Sequence, residues 1–386
     1  MNNFVFQSPT KIMFGEHESA STGTYAEDLG IKKPLLVTDS VLLDLGLIEE
    51  ISESLREVRI NPIIFKDVPP DSDTESVERA SALARENGCD SVIAVGGGSV
   101  LDTAKVVNIC LSLKNGWLDN QGLNVIQEKL NPFIALPTTA GTGSEVSFVA
   151  SVKDSKEHRK LIFGSKYLAP DLAILDPLLT KSMPPKLTAA TGMDAVTHAI
   201  ESIACTITNS PFTHCLSINA LRMLFDQLPV ATKSGDNMEA RSQVLIASTM
   251  AGVAFTNSGV GVIHALAHAT GALFGTHHGM TNAVFLPHGM RFNKSDIEET
   301  YAKVARELGI ADRNSDSKAA DILIDRLENL MESLEIPRNL KSLGVSQMDN
   351  SRLETWSKLV LEDPAIMFNP KPATVEDVME IYKGAF

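Results

Sequence analysis

Cysteine and long apolar runs are scarce in this chain of 386 residues. Its four cysteines form no Cys-x-x-Cys pair and are too few for a disulfide framework, so we interpret them as buried thiols. No apolar stretch reaches the length that spans a bilayer, and the first fifteen residues lack the basic and apolar segments of a secretory signal. These absences predict a cytoplasmic protein.

Positive charge is also in short supply. The chain has 34 Lys and Arg against 48 Asp and Glu, a formal net charge of -14. Nucleic acid and anionic membrane surfaces would be repelled by this average field, so we expect neither as a partner. A hydrophobic content of 44% with 21% charged residues is ordinary for a globular protein, and the length favours two domains.

Short apolar runs alternate with segments of helical spacing in the first half of the chain. The runs predict strands at residues 34–38, 60–65, 91–95 and 132–136, and the spacing predicts helices at 40–59 and 74–87. Such alternation indicates an α/β domain with a parallel sheet. The pattern changes at residues 176–185 and is then almost entirely helical, so we place an α/β domain at 1–182 and an all-α domain at 183–386.

Two loops rich in small residues follow predicted strands. Residues 96–99 (GGGS) open a helix, where exposed backbone N–H groups and the helix N-terminus favour a phosphate. Residues 137–145 (PTTAGTGSE) follow the next strand in the same way. Parallel strands place both loops at one edge of the sheet, which predicts a nucleotide crevice. At the end of the first strand, Asp39 could bind an adenosine ribose and disfavour NADP, or could simply cap a helix.

Histidines are concentrated in the predicted helical half, which has seven of the nine. Asp194 and His198 are four residues apart, and so are His264 and His268, which places each pair on one helical face. Residues 242–290 contain no Lys, Arg, Asp or Glu, so this stretch is expected to be buried. Buried imidazoles need partners, and a metal can satisfy several together. A carboxylate with imidazoles and no thiolate suits Fe(II), Zn or Mn at a catalytic site.

Five segments together resemble the iron-containing, or group III, alcohol dehydrogenases over nearly the whole chain. They are GGGSVLDTAK from Gly96, LPTTAGTGSE from Leu136, MPPKLTAATGMDAVTHAIE from Met183, VGVIHALAHATGALFGTHHGMTNAVFLPH from Val260 and NPKPATVEDVMEIY from Asn369. The resemblance implies a dinucleotide-binding α/β domain followed by a helical domain, the dehydroquinate synthase-like fold, with the site in the cleft between.

The resemblance also implies roles for individual residues. It implies that the metal is held by Asp194, His198, His264 and His278. His268 matches a histidine near the nicotinamide that is not a ligand and could carry a proton. The positions that match cofactor contacts are Asp39, Gly97, Gly98, Ser99, Thr138, Thr139 and Lys160.

The chain departs from the family pattern at two places. Where most relatives have Pro-His-Gly, it has His277, His278 and Gly279, and we assign the ligand role to His278 because it keeps the fourteen-residue step from His264. Residues 68–73 (VPPDSD) replace a Pro-Asn-Pro-Thr segment, so an asparagine that usually helps to hold the cofactor is missing.

These implications predict a reversible oxidation of a small primary alcohol to its aldehyde, with hydride passing to NAD rather than NADP. The metal, Fe(II) with Zn as the alternative, would lower the pKa of the alcohol. The nearer rival is a related enzyme of the glycerol dehydrogenase or dehydroquinate synthase type, acting on a polyol or a phosphorylated substrate. A non-catalytic nucleotide-binding protein is the other alternative. The apolar residues of segment 3–14 and the family resemblance lead us to expect a homodimer or larger homo-oligomer.

Overall fold

The computed structural model describes residues 3–157, 159–312 and 315–386. The chain divides into two compact units. One comprises residues 8–182, and the other comprises residues 183–386 together with the segment that precedes Ser8. Each unit is built on its own core.

The first unit alternates strands with helices. Its strands are β1 (Lys11–Phe14), β2 (Pro34–Val37), β3 (Ile63–Phe65), β4 (Ser91–Gly96), β5 (Gly122–Leu123), β6 (Phe133–Pro137), β7 (Val149–Asp154), β8 (Arg159–Gly164) and β9 (Leu172–Leu175). Its α-helices are α1 (Thr22–Asp28), α2 (Ser40–Asp44), α3 (Glu49–Glu57), α4 (Thr74–Asn87) and α5 (Gly98–Ser112). The α/β class predicted from the sequence is thereby confirmed.

Six of these strands form one parallel sheet in the order β1-β9-β6-β4-β2-β3. In β4, Val92 and Ala94 pack into one hydrophobic cluster, whereas Ile93 and Val95 pack into another. Alternate side chains of a strand point to opposite faces, so both faces of the sheet are buried. This explains why the sequences of its central strands are continuous apolar runs.

The remaining three strands form a small sheet in the order β5-β8-β7. Strands β7 and β8 are antiparallel, with Asp154 opposite Arg159, so the strand residues of the charged run 153–160 (KDSKEHRK) lie at one end of this pair. His158, which falls in this run, lies outside the described residues.

Two elements differ from the sequence prediction for physical reasons. The helix predicted at 40–59 is interrupted between α2 and α3, where Gly46 adopts a φ of 76°. This left-handed conformation ends a helix and is accessible to glycine at little cost. The strand predicted at 60–65 is only β3, because Pro62 directly before it has no N–H to donate to a neighbouring strand.

The second unit is helical, as predicted. Its α-helices are α6 (Pro185–Ala204), α7 (Pro211–Lys233), α8 (Met238–Ser258), α9 (Val262–Phe274), α10 (His278–Glu307), α11 (Asp316–Ser333), α12 (Asn350–Glu362) and α13 (Val375–Ala385). Helix α6 is buried at every residue from Thr188 to Ala204, so any polar side chain that it presents must find a partner inside the protein.

Among the described residues, no single helix is long and apolar enough to cross a membrane. Helices α8 and α9 reach the required length and composition only as a pair that is bent by 102°.

Candidate functional site

The predicted cofactor loops follow neighbouring strands of the parallel sheet. Strands β4 and β6 pair so that Gly96 lies opposite Pro137, and β2 pairs with β4 on its other side. The loop after β4 and the loop after β6 therefore leave the sheet at the same edge. Thr138 N donates to Gly96 O at 3.0 Å, which joins the beginnings of the two loops.

The glycine turn also packs closely against the threonine loop. A Cβ atom on Gly98 would lie 2.7 Å from Thr142 Cγ2, and one on Gly97 would lie 3.1 Å from Thr139 Cγ2. Side chains at positions 97 and 98 would thus push the loops apart. The missing Cβ atoms thus let the two loops pack together, while Gly97 and Gly98 stay partly exposed, so a phosphate could reach the backbone at the start of α5.

Asp39 caps a helix in this structure. Its Oδ1 atom accepts a hydrogen bond from Leu42 N at 3.0 Å at the beginning of α2, which is the alternative role considered for it. The residue is partly exposed, and Thr38 separates it from the end of β2. Its second carboxylate oxygen is the atom that could serve a ribose, so the capping role and the cofactor role are compatible.

Asp71 links two of the predicted cofactor-contacting residues. Its backbone N donates to Ser99 Oγ at 3.0 Å, and its carboxylate forms an ion pair with the Lys160 ammonium. Asp71 has a φ of 64°, a conformation that Asp tolerates better than most residues. It belongs to the segment that replaces the family's Pro-Asn-Pro-Thr, so a carboxylate stands near Ser99 and Lys160 here.

A buried charge network supports these loops. Lys105 on α5 is fully buried, and its Nζ atom donates to Ser147 O, Ser147 Oγ and Val149 O at 2.8–3.0 Å. Burial lowers the pKa of Lys105 to about 8, while the charges of Asp102 and Glu145 act in the opposite direction. Burial likewise raises the pKa of Asp102. The network fixes the segment between the threonine loop and β7.

The predicted metal ligands converge inside the second unit. Asp194 and His198 lie one turn apart on α6, and both are buried. With His264 on α9 they form a group whose ligand atoms all lie within 4.8 Å of one another. His278, the first residue of α10, brings its Nε2 atom to 3.5 Å from Asp194 Oδ1. Two helices thus supply a buried group of three potential ligands, and His278 on a third helix approaches it on the side of Asp194.

Of the two adjacent histidines, His278 forms the contact with Asp194 Oδ1 described above, and the charge of His277 also acts to lower the pKa of Asp194. His277 is exposed and occupies the N-cap position of α10. The start of α10 lies very close to α6, because a Cβ atom on Gly279 would be 2.3 Å from Ala190 O. Only glycine permits this approach, which places His278 next to the Asp194 carboxylate.

The ionisation of these groups follows from burial and mutual charge. Burial acts to raise the pKa of Asp194, but the charges of His198 and His278 and a hydrogen bond from Asn282 together bring that pKa below its usual value. Burial lowers the pKa of His264 far below normal, and the neighbouring imidazoles add to this shift. An ionised carboxylate beside a neutral imidazole is the state in which both can bind a cation.

Glu201, which the sequence prediction missed, lies behind His264. It follows Asp194 by seven residues on the same face of α6 and hydrogen-bonds to His264 Nδ1. Its other oxygen accepts from Ile263 N at 2.8 Å. Burial raises the pKa of Glu201 to about 8, against the effect of backbone N–H groups at the start of α9. The contact orients the ring so that Nε2 faces Asp194.

His268 has a carboxylate partner from the end of the chain. Its Nδ1 atom lies 2.9 Å from Asp363 Oδ2, and both side chains are largely buried. Burial acts to raise the pKa of Asp363, but the charge and hydrogen bond of His268 hold it below its usual value. Nearby, Asn369 Oδ1 accepts from Val262 N at 3.1 Å and so caps α9. Residues close to the C-terminus thus complete the surroundings of α9.

The residues that the sequence prediction missed differ in whether a sequence pattern could have revealed them. Glu201 and Asn282 occur at helical spacing from predicted ligands, seven residues after Asp194 and four after His278, so periodicity could have found them. Asp363 is separated from His268 by 95 residues and belongs to no motif with it, so only the tertiary structure reveals this pair.

Sequence comparison assigns both units to one family. Residues 9–177 match the family model described as "Iron-containing alcohol dehydrogenase". Residues 188–386 match the model described as "Fe-containing alcohol dehydrogenase family, C-terminal". The NAD-dependent methanol dehydrogenase of Bacillus methanolicus is 36% identical, with both chains covered completely. The 1,3-propanediol dehydrogenase of Citrobacter freundii is 34% identical, with 99% of each chain covered.

Solved structures agree with this assignment. The crystal structure of a 1,3-propanediol oxidoreductase superposes with a TM-score of 0.95 at 33% identity, covering all of both chains. An alcohol dehydrogenase from Oenococcus oeni gives the same TM-score at 31% identity, again over both chains in full. The resemblance inferred from the motifs is confirmed, and the chain belongs to the iron-containing alcohol dehydrogenase family, whose characterised relatives are alcohol dehydrogenases.

Proposed function

We propose that this alcohol dehydrogenase is metal-dependent and NAD(H)-linked, and that it interconverts a small primary alcohol and its aldehyde. The observation that carries the proposal is the buried group of Asp194, His198 and His264 inside the helical unit, with His278 Nε2 3.5 Å from Asp194 Oδ1. Burying a carboxylate and several imidazoles is unfavourable unless they share a partner, and a divalent cation is such a partner.

The donor set fits a first-row divalent metal. One carboxylate and three imidazoles suit Fe(II) or Zn, whereas a structural zinc site would more often use thiolates. Cys205, which directly follows α6, is buried, and burial raises its pKa well above normal, so its thiol stays protonated. We therefore propose Fe(II), with Zn as the alternative.

Such an ion, when bound, lowers the pKa of an alcohol oxygen as it does that of water. The surrounding side chains would hold and orient the groups of the site. Asp194 supplies negative charge at the centre, and the Glu201 contact fixes the His264 ring with Nε2 directed inward. Phe255 stacks on His198 with ring centroids 4.2 Å apart, which holds that ring and excludes water from one side of it.

His268 is the residue we propose to move the proton. Its ring stacks on that of His278 with centroids 5.4 Å apart, so it lies next to a proposed ligand. The Asp363 carboxylate accepts from Nδ1 and leaves Nε2 to exchange a proton with the substrate side. His268 is partly exposed, with 17% of its side chain accessible, which gives the proton a route to water.

We propose that the cofactor is NAD, bound by Asp39, Gly97, Gly98, Ser99, Thr138, Thr139 and Lys160. The glycine turn offers backbone N–H groups at the start of α5 to the pyrophosphate. The carboxylate of Asp39 favours a ribose hydroxyl over the 2'-phosphate of NADP. The relative from Bacillus methanolicus is named NAD-dependent, which supports the same choice.

The substrate we propose is a small neutral alcohol. Residues 242–290, which include α9 and the start of α10, contain no Lys or Arg that could bind a phosphate or carboxylate group. Relatives named methanol dehydrogenase and 1,3-propanediol dehydrogenase act on molecules of this size. The absence of cationic side chains from this stretch disfavours the phosphorylated substrates of the rival interpretation.

Anaerobic loading tests the proposal. The purified protein is treated with Fe(II) or Zn, its bound metal is measured, and NADH and NADPH formation is assayed with alcohols of two to four carbons. We expect one metal ion per chain and NAD-linked activity. Absence of activity with either metal would refute the dehydrogenase proposal, and turnover of a phosphorylated substrate without net redox change would favour the rival.

We also propose a homo-oligomer that assembles through the N-terminal segment. Strand β1 lies at the edge of the six-stranded sheet, and its Ile12 and Phe14 side chains are 41% and 45% exposed. An edge strand with apolar side chains favours pairing with another chain. Sedimentation of the wild-type protein and of Ile12→Lys tests this, because only the wild type should be larger than a monomer.

The cytoplasm is the compartment we propose. Cys89, Cys110, Cys205 and Cys215 are all free thiols; Cys110 and Cys205 are buried as predicted, whereas Cys89 is partly exposed and Cys215 is exposed. Free thiols persist in a reducing compartment. Fractionation of cells that express the protein tests this assignment, since recovery in an extracellular or membrane fraction would contradict it.

A further inference from the structure

The side-chain amide of Asn282 lies among three of the four proposed metal ligands. Its Nδ2 atom is 2.8 Å from Asp194 Oδ1 and 3.1 Å from both His264 Nε2 and His278 Nε2. Asn282 comes one turn after His278 on α10 and is fully buried. One nitrogen atom therefore contacts the three atoms that would otherwise face a cation.

Asp194 decides which end of the amide points inward. A carboxylate accepts hydrogen bonds, so the Nδ2 atom of Asn282 and not its oxygen has to face Asp194 Oδ1. The same nitrogen then donates toward His264 Nε2, whose ring is fixed by the Glu201 contact at Nδ1. The lone pairs that Asn282 engages are consequently those that a metal would use.

The other end of the amide is unsatisfied. Asn282 Oδ1 is buried and accepts no hydrogen bond from the described residues. An unbonded buried carbonyl is unfavourable, so the position of this side chain is determined by the contacts of its nitrogen. Two amide hydrogens serve three acceptors, which leaves the arrangement less stable than one in which a single cation binds all three.

We propose that Asn282 is a positioning residue whose amide nitrogen and a metal ion compete for the same ligand atoms of Asp194, His264 and His278. The inference rests on the proposed metal function of Asp194, His264 and His278. By donating to these groups, the amide keeps them converged and stabilises the metal-free protein. Removing the amide should raise the free energy of the metal-free form more than that of the loaded form, so metal binding should tighten.

Asn293 provides a matched control on the same helix. It is also buried, and its side chain exchanges hydrogen bonds of 3.0 Å and 2.8 Å with Asn369 instead of with a proposed ligand. Leucine has nearly the size of asparagine but neither donates nor accepts. Asn282→Leu and Asn293→Leu therefore each remove one buried amide from α10, and only the first removes contacts with the proposed site.

The test is thermal unfolding of the wild type and both variants after chelator treatment, with and without Zn²⁺, together with Zn²⁺ affinity measured by chelator competition. For Asn282→Leu we expect a large loss of Tm without Zn²⁺, a smaller loss with it, and Zn²⁺ binding about tenfold tighter than in the wild type. For Asn293→Leu we expect equal losses of Tm in both forms and unchanged affinity.

Other outcomes would overturn the inference. Equal losses of Tm in Asn282→Leu would show a purely structural role, and weaker Zn²⁺ binding would show that the amide supports the loaded site. If Asn282→Leu fails to fold in both forms, the same measurements on Asn282→Ala decide. A wild-type protein that binds neither Zn²⁺ nor Fe²⁺ would instead refute the proposed metal function itself, so the two failures are distinguishable.

Discussion

The two candidate sites of this protein are built from different materials. In the unit of residues 8–182, the predicted phosphate site consists of backbone at the ends of β4 and β6, and it depends on missing side chains at Gly97 and Gly98. In the helical unit, the predicted metal site consists of side chains from α6, α9 and α10, and it depends on buried charge. We therefore expect the predicted phosphate site to be disrupted by added side-chain atoms, and the predicted metal site to be disrupted by the loss of a charged side chain.

Loss of a charged ligand should be the most damaging change and should affect only the helical unit. Asp194→Asn removes the one anionic group among the proposed ligands, which we expect to weaken metal binding by roughly 3–5 kcal/mol, or more than a hundredfold. NADH binding should be unchanged. Metal content and NADH fluorescence titration measure the two effects. His277→Ala is the control, and loss of metal in that variant but not in His278→Ala would refute the ligand assignment.

Weakening the contact between Glu201 and His264 should reduce metal affinity less than the loss of Asp194 does. Glu201→Gln keeps the size of the side chain but weakens its hold on His264 Nδ1, so we expect metal affinity to fall by about 10–100-fold. Chelator competition measures this change. An unaltered affinity would mean that His264 is oriented by packing alone.

An added methyl group at Gly98 should have the opposite selectivity, because it should weaken cofactor binding and leave metal binding unchanged. In Gly98→Ala the new Cβ would lie 2.7 Å from Thr142 Cγ2, so the glycine turn and the threonine loop have to move apart. We expect NADH binding about tenfold weaker, a loss of about 1.4 kcal/mol, with normal metal content. If metal content fell as well, the two sites would be less independent than the comparison implies.

Buried charge also exists beneath the cofactor loops, and pH can reveal it. Lys105 has a pKa of about 8 in the folded protein and 10.5 as a free side chain, so between these values the unfolded chain binds more protons. The unfolding free energy of the wild type should therefore rise with pH in this window, by about 1.4 kcal/mol per pH unit relative to Lys105→Met. Denaturant unfolding at pH 8 to 10 measures the difference. A constant difference would contradict the low pKa.

The two regions were also unequally predictable from the sequence. The glycine turn and the threonine loop are contiguous segments beside recognisable strands, so their placement at one sheet edge follows from parallel pairing. The pairs Asp194–His198 and His264–His268 were visible as helical spacing. The Asp363 partner of His268 and the inward amide of Asn282 were not, because they depend on contacts between helices that no local pattern encodes. The break at Gly46 was missed because apolar spacing continued across it.

The partners of α9 that lie near the C-terminus have a consequence for synthesis. Asn369 caps α9 at Val262, and Asp363 holds His268 on the same helix, yet these residues follow their partners by 107 and 95 positions in the sequence. While the ribosome is still making the protein, the helix that bears His264 lacks both contacts. The surroundings of the proposed metal site are therefore complete only once residues 363–369 have been made and have packed against α9, so we expect tight metal binding only after that step.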